Sequence, residues 1–174
     1  QGNGETGQIS NEGNIKNINE DLEKISETFF DFLNNSNFYT EAAKAVRDAT
    51  VLGTGVVKII EQDDTQRPFL YKYQNLDGFY FLENMFGEPN ICFKSLFEVA
   101  KEDITELYGE QAAIPEKAKE ENKTVDLIEC VVPDPGNNKI FSFMVYDSSF
   151  ETVVFETELK YNPFVVFRWS LEGN

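Results

Sequence analysis

The sequence predicts an α+β fold: an N-terminal helix pair packed on a mainly antiparallel β-sheet or small barrel, with two short helices inserted between strand groups. Two observations support it. Apolar residues recur every three or four positions up to about residue 51, which is typical of amphipathic helices. From Arg67 onward the period changes to two, as in half-buried strands. Strands that follow helices in this way favour an antiparallel sheet.

The chain length favours one folded domain. The 174 residues can form one core but are too few for two ordinary domains. Aromatic residues make up 14%, which argues against a disordered chain. Residues 1–13 are almost entirely polar or Gly, so we expect a flexible lead-in before a single domain at 14–174. Because the chain starts at Gln1 and stops just after an apolar run, we expect a piece of a larger protein.

The first predicted helix carries an apolar stripe with steps of three and four residues. Its members are Ile15, Ile18, Leu22, Ile25, Phe29 and Phe32. The stripe spans about two and a half heptads, fewer than the three to four typical of a coiled coil. We therefore expect it to pack on the chain's own sheet or on a neighbouring subunit. Asn and Ser at 34–37 end this helix and are expected to cap the next one.

A second helix is predicted from about Tyr39 to Val51, with an Ala-rich face that permits close packing. Gly53 follows it where a left-handed residue commonly ends a helix. The segment GTG at 53–55 lacks the Gly-Lys-Ser/Thr ending of a phosphate loop. It also runs from helix to strand, which is the reverse of a phosphate-binding loop. We predict a helix end there and a strand at 56–61, apolar on both faces.

The remaining elements follow from two-residue alternation and turn residues. Strands are predicted at about 67–74, 79–82, 91–97, 125–132, 140–146, 150–157 and 164–167. Helices are predicted at about 100–108, ended by Gly109, and at about 115–121, started by Pro115. The last strand is apolar on both sides, which favours a central or sandwiched position. The acidic segment 61–64 lacks the ligand spacing of a calcium loop and is predicted to be a hairpin tip.

The composition argues against an enzyme, so we expect no catalytic residue, cofactor or metal. The chain has no His, the commonest general base and metal ligand. Cys92 and Cys130 lie in separate predicted strands, where buried free thiols are expected, and two Cys cannot form a zinc site. The 31 acidic residues form pairs by chance, and none belongs to a recognisable motif. A pocket with two convergent buried carboxylates would revive the enzyme hypothesis.

The charge argues against nucleic-acid binding. The chain has 15 basic and 31 acidic residues and a formal net charge of −16. DNA affinity depends on Lys and Arg, so tight binding is not expected; an acidic surface gives solubility or repels polyanions. With neither a signal peptide nor a membrane-length apolar run, the default location is a reducing cytoplasm. Arg168 and Trp169 form either a cation–π or interface anchor, or a Trp at the core edge beside a structural Arg.

Three ordered stretches resemble the portal proteins, or head-to-tail connectors, of short-tailed bacteriophages. They are SNFYTE at 36–41, GTGV at 53–56 and PFVVFRWS at 163–170, and the segments 76–80, 93–109 and 114–117 fit between them. The resemblance rests on Asn37, Phe38, Tyr39, Gly53, Gly55, Pro163, Phe164, Arg168 and Trp169. The chain differs at Phe167, where the family usually has Pro or a small residue before the Arg.

The resemblance implies the outer wing region of a subunit in a ring, typically dodecameric, at one capsid vertex. DNA would pass through the ring without specific binding. The major capsid protein, a tail adaptor and the packaging motor would be partners. The location would be the virion, with assembly in the bacterial cytoplasm, and the excised piece would be monomeric. The alternative is a non-catalytic acidic adaptor that binds a basic protein partner through the stripe at 15–32.

Overall fold

The computed structural model describes residues 8–62, 64–120, 123–149 and 151–169. The elements are α1 (Gln8–Asn35), α2 (Phe38–Leu52), β1 (Thr54–Glu61), β2 (Phe69–Gln74), β3 (Phe79–Glu83), β4 (Pro89–Ala100), α3 (Lys101–Tyr108), α4 (Glu116–Lys119), β5 (Thr124–Asp134), β6 (Asn137–Asp147), β7 (Val153–Leu159) and β8 (Phe164–Arg168). The predicted α+β class and the predicted order of helix and strand groups are confirmed.

The strands form two open antiparallel sheets, and among the described residues neither closes into the barrel that was the alternative prediction. The small sheet has the order β2-β1-β8, and the large sheet has the order β3-β4-β5-β6-β7. The large sheet is a meander, in which each strand pairs with the next along the chain. The small sheet instead joins β1 to β8 across more than half the chain, with Val57 opposite Val165.

The small sheet lies between α2 and the large sheet. Alternation along β1 points Gly55 and Val57 toward α2, and Val56 and Lys58 toward the large sheet. Both faces of the strand are therefore covered, as its sequence predicts. Between the sheets lie fully buried aliphatic side chains, including Val56, Leu127, Val131 and Val145. Each stabilises the fold by roughly 1.5–3 kcal/mol relative to an exposed position.

The helices α3 and α4 cover the rest of the inner face of the large sheet. Ile104 of α3 and Ala118 of α4 belong to the same buried core as the sheet residues. A bulge in β4 precedes α3, and Glu98 there has a φ of 54°. The Glu98 amide donates to the Asp126 side chain at 2.9 Å, which satisfies a donor that the bulge removes from the ladder.

The prediction that both N-terminal helices pack on the sheet is right for α2 and wrong for α1. Of the α1 side chains that the structure describes, Leu33 near its end is buried. Ile18, Leu22, Ile25 and Phe29 are between 55% and 65% exposed. This part of the stripe is therefore not buried against the sheet.

The last strand also differs from its prediction. It was expected to be central or sandwiched, but β8 is the edge of the small sheet among the described strands. The strand is apolar because one of its faces packs on the large sheet: Phe164 faces that sheet and is 3% exposed. Val165 faces the other way and is 44% exposed, because α2 packs over β1 and β2 rather than β8.

Some predicted segments fall at the limits of the described residues. Residues 1–7 of the predicted lead-in lie outside them, whereas residues 8–13 already belong to α1, which begins earlier than its stripe indicates. Asp63 of the predicted acidic hairpin tip and Phe150 at the predicted start of β7 also lie outside. So does Ser170, the last residue of the family-like stretch at 163–170.

Candidate functional site

The residues of the family-like stretches meet at one place, the junction of α2 with the small sheet. The side chain of Asn37 forms a pair of hydrogen bonds with the backbone of Tyr71 in β2. The Asn37 Nδ2 donates to the Tyr71 carbonyl at 2.6 Å, and the Tyr71 amide donates to Asn37 Oδ1 at 3.0 Å. Asn37 therefore occupies the free edge of β2 as a neighbouring strand would.

Among the Asn and Ser residues at 34–37 that were expected to cap α2, Asn37 does not do so with its side chain. It stands at the N-cap position without a side-chain cap bond. Ser36 acts instead, since its Oγ accepts from the Phe38 amide at 3.1 Å. Beside it the Phe38 ring packs edge-on against Tyr71 at 5.0 Å between centroids, while Tyr39 remains 54% exposed.

Two carboxylates of α2 also hold β2, and the sequence analysis missed them. Glu41 Oε2 accepts from the Tyr73 amide at 2.8 Å, and Asp48 accepts from the Tyr73 hydroxyl. The Lys44 hydrogen bond, followed by the Tyr73 amide, holds the pKa of Glu41 below its ordinary value against the effect of burial. Glu41 lies four residues before the buried Ala45 and Asp48 lies three residues after it, so both carboxylates are on the sheet-facing side of the helix. This helical spacing is the feature of the sequence that could have predicted their contacts with β2.

The two glycines of the junction have different roles. Gly53 ends α2 with a φ of 82° and donates to the Ala49 carbonyl at 3.0 Å, as predicted for a left-handed helix end. Gly55 lies where helix and strand touch. A Cβ there would overlap the Ala45 carbonyl oxygen and would lie 2.7 Å from the Phe167 ring. The bulky Phe167 thus occupies space that Gly55 leaves open.

The last strand connects the junction to the large sheet. The Pro163 carbonyl accepts from the Ile59 amide at 2.8 Å, and the Phe164 ring packs edge-on against Phe79 at 5.3 Å. Arg168 lies 5.0 Å from the centroid of Phe81 and forms an ion pair with Glu83 at 3.0 Å.

Arg168 therefore joins two sheets, and its recorded cation–π contact is with Phe81 of β3. Trp169 is 60% exposed at the end of β8, and its backbone amide donates to the Gly53 carbonyl at 3.0 Å. Of the two alternatives for this pair, the geometry favours a structural Arg. Trp169 lies at the surface beside the junction, where a partner can reach it.

A polar cluster of Lys58, Tyr108 and Glu129 lies between the sheets. Lys58 Nζ donates to Glu129 Oε1 at 2.5 Å, and the Tyr108 hydroxyl donates to the same oxygen at 2.8 Å. The side chains of Lys58 and Glu129 are only 12% and 4% exposed. Burial, followed by the charge of Glu129, raises the pKa of Tyr108, so this phenol stays neutral. Charged residues at inward positions of otherwise apolar strands were the signal for this cluster.

The cluster borders a cavity of about 260 Å³ between the sheets. Its apolar walls include Leu96, Leu107, Phe143, Phe155 and Leu159. The ammonium of Lys58 lies 4.8 Å from the centroid of Phe143, a cation–π distance.

Polar side chains border the cavity as well. Lys72 also lines it and makes no ion pair within the part of the chain that the structure describes. Burial and a hydrogen bond to Glu61 raise the pKa of Tyr161, another lining residue, to about 12.

A second buried lysine stabilises the link between β2 and β3. Lys94 Nζ donates to the Asn75 carbonyl and side chain at 3.2 Å and 2.7 Å, and to the Asp77 carbonyl at 2.5 Å. Burial lowers the pKa of Lys94 below its ordinary value. The carbonyls of this short link lie outside the strands and are not paired in a sheet. Lys94 provides their hydrogen-bond donor, so its role is structural.

The chemistry available at these sites is that of packing and hydrogen bonding. Cys92 and Cys130 are free and buried, and burial raises the pKa of each thiol, which keeps both protonated. The buried carboxylate of Glu129 already accepts from an ammonium and a phenol. Within the described ranges no group of three or more His, Cys, Asp or Glu side chains is placed to hold a metal.

Comparison with known families identifies the chain. The model of the family described as bacteriophage head to tail connecting protein matches residues 6–174. The chain belongs to this family. The connector families are structural parts of the virion, at the joint between head and tail, and the resemblance drawn from the stretches at 36–41, 53–56 and 163–170 is confirmed. No curated protein matches the chain. None of the described helices is long and apolar enough to cross a membrane.

Proposed function

We propose that this connector chain supplies the wing region of a ring, typically of twelve subunits, at one vertex of the phage capsid. The wing makes contacts with neighbouring subunits and with the capsid shell. The family supports a connector role, and the exposed apolar stripe of α1 supports assembly contacts. In the unassembled chain the apolar stripe is exposed to water, which is unfavourable, and a partner surface that buries it would stabilise the assembly.

In this proposal DNA crosses the ring during packaging and ejection without specific binding. The formal net charge of −16 supports this, because like charges keep a polyanion from adhering to a conduit. The partners are other copies of the subunit, the major capsid protein, a tail adaptor and the packaging motor. The proposed role needs no catalysis, cofactor or metal, and assembly takes place in the bacterial cytoplasm.

The alternative is an acidic adaptor that binds a basic partner through α1. The observation that favours it is the composition of the helix: acidic side chains at 20, 21, 23, 27 and 31 accompany the stripe, against Lys at 16 and 24. Such a face attracts a basic groove and disfavours pairing with a second α1. The two proposals differ in whether copies of the chain assemble with one another.

Electron microscopy of the subunit, expressed with all the sequence that flanks this chain in its gene, tests the choice. Rings with a central channel are expected. The 174-residue chain alone should remain monomeric by light scattering. Persistent monomers of the complete subunit, combined with tight binding to a basic capsid or scaffold protein, would favour the adaptor instead.

A further inference from the structure

The β3–β4 hairpin ends in an apolar tip that nothing in the fold explains. Met85 and Phe86 at the tip are 90% and 79% exposed. Two neighbouring apolar side chains that project into solvent are unusual, because burying each of them would stabilise the fold or a complex.

The tip is held rigid by one side chain. Asn84 Oδ1 accepts from the amides of Phe86 and Glu88 at 2.9 Å and 3.0 Å, and Asn84 Nδ2 donates to Glu88 Oε2 at 3.0 Å. Backbone bonds from Asn84 to Glu88 at 2.9 Å and from Gly87 to Asn84 at 3.0 Å close the same turn. A preorganised turn loses little conformational entropy on binding, which favours tight binding through few side chains.

The cavity between the sheets has the matching properties. Its volume of about 260 Å³ is below the range of about 300–1,000 Å³ that is usual for small-molecule sites, and it suits one or two side chains. Most of its walls are aliphatic and aromatic, with the buried Lys58–Glu129 pair on one side, and neither Met85 nor Phe86 of the same chain lines it. The exposed Lys72 borders it, while Glu88 stands two residues from Phe86.

We propose that the hairpin tip of one copy inserts Phe86, with Met85 beside it, into the inter-sheet cavity of a second copy. The carboxylate of Glu88 then pairs with Lys72 of the cavity. The tip and the cavity are different surfaces of one chain, so each copy can donate a tip and receive one. Head-to-tail contacts of this kind form a ring when the rotation between successive copies closes. The inference rests on the proposed function and specifies one of its subunit contacts.

The contact is small, so cross-linking is a better assay than the mass of the isolated chain. Stable interfaces bury about 1,200–2,000 Å² in total, far more than two side chains supply. One preparation carries Glu88→Cys and the other carries Lys72→Cys, and both keep Phe86 and Met85. The native Cys92 and Cys130 are buried, which limits background disulfides. The mixture is oxidised and separated on a non-reducing gel.

A disulfide-linked dimer is expected, formed about tenfold faster than with Glu102→Cys in place of Lys72→Cys, because the contact raises the local thiol concentration. Glu102 is exposed on α3 and does not line the cavity, which makes it the matched control. Adding Phe86→Ser to the Glu88→Cys chain should slow the reaction by roughly tenfold, as loss of a central anchor does. Circular dichroism of each variant checks that it is folded.

Equal rates for Lys72→Cys and Glu102→Cys, or no effect of Phe86→Ser, would overturn the tip-in-cavity contact. This failure is separate from that of the proposed function. If the complete subunit forms rings but the cross-link does not form, the proposed ring stands and this contact is wrong. If the cross-link forms but the complete subunit forms no rings, this contact stands and the proposed ring is wrong.

Discussion

Single residues explain most of what the family-like stretches do in this structure, and Gly55 is the clearest case. Its missing side chain lets β1 touch α2 at the Ala45 carbonyl and lets Phe167 pack beside it. Close approach, rather than an unusual φ, is what this position requires. Phosphate-binding loops use Gly for the same freedom of backbone approach, although this segment lacks the rest of that motif.

Gly55→Ala should lower the free energy of unfolding by about 1–3 kcal/mol, because backbone and ring must move to admit a methyl group. Gly136→Ala is the control, since a Cβ there would meet only a side-chain oxygen of Asp134 at 3.2 Å, which needs a shift of about a few tenths of an ångström rather than a movement of backbone. Urea denaturation followed by circular dichroism measures both. An effect of Gly55→Ala no larger than that of Gly136→Ala would contradict the close contact.

The polar cluster makes a second prediction at the scale of residues. Glu129→Gln keeps the shape but leaves the buried ammonium of Lys58 without its counter-charge, which should destabilise the chain by roughly 3–5 kcal/mol. Adding Lys58→Met removes the unpaired charge and should restore much of that loss. The double-mutant cycle in urea measures the coupling. If the two substitutions proved additive, the ion pair would not be the link between the sheets that its geometry indicates.

At the scale of elements, the predictable features were those that depend on neighbours in sequence. The end of α2 at Gly53 follows from local backbone geometry, and β5 and β6 follow from alternation on either side of a turn. The pairing of β1 with β8 depends on residues about a hundred positions apart. The bond of Asn37 to Tyr71 likewise spans 34 residues. Neither leaves a periodic signal, so the split into two sheets and the role of Asn37 appeared only in the structure.

The helix α1 shows the other limit of sequence patterns. The stripe of Ile18, Leu22, Ile25 and Phe29 predicts that one face is buried, but it does not say against what. In the described residues that face is exposed. Amphipathic periodicity therefore reports a need for a partner, which a single chain need not meet.

A double substitution on the stripe tests this directly. Ile25→Ser with Phe29→Ser should change the unfolding free energy of the 174-residue chain by no more than about 1 kcal/mol, because both side chains are already exposed. The same pair should strongly reduce assembly of the complete subunit. Glu23→Gln with Glu27→Gln, on the same helix, is the control for assembly. A large loss of stability in the short chain would show that the stripe packs on its own domain.

At the scale of the whole molecule, three contacts join the two sheets at different places. The Lys58–Glu129 pair lies in the centre, the Phe79–Phe164 contact lies beside it, and Arg168 reaches Phe81 and Glu83 from the end of β8. The small sheet buries apolar side chains against α2 on one face and against the large sheet on the other, so its stability depends on both layers. We expect the junction and the large sheet to form one cooperative unit.

Trp169 provides the measurement, because it is the single Trp of the chain and it follows the last strand of the small sheet. Its fluorescence reports the small sheet, whereas far-ultraviolet circular dichroism reports all strands and helices. The two unfolding curves in urea should coincide, as they do for a two-state domain. Arg168→Leu should shift both midpoints together to lower urea, while Lys160→Leu, outside the contacts between the sheets, should shift neither appreciably. Fluorescence that changes well before circular dichroism would contradict this prediction, because it would mean that β8 and the junction open before the large sheet does.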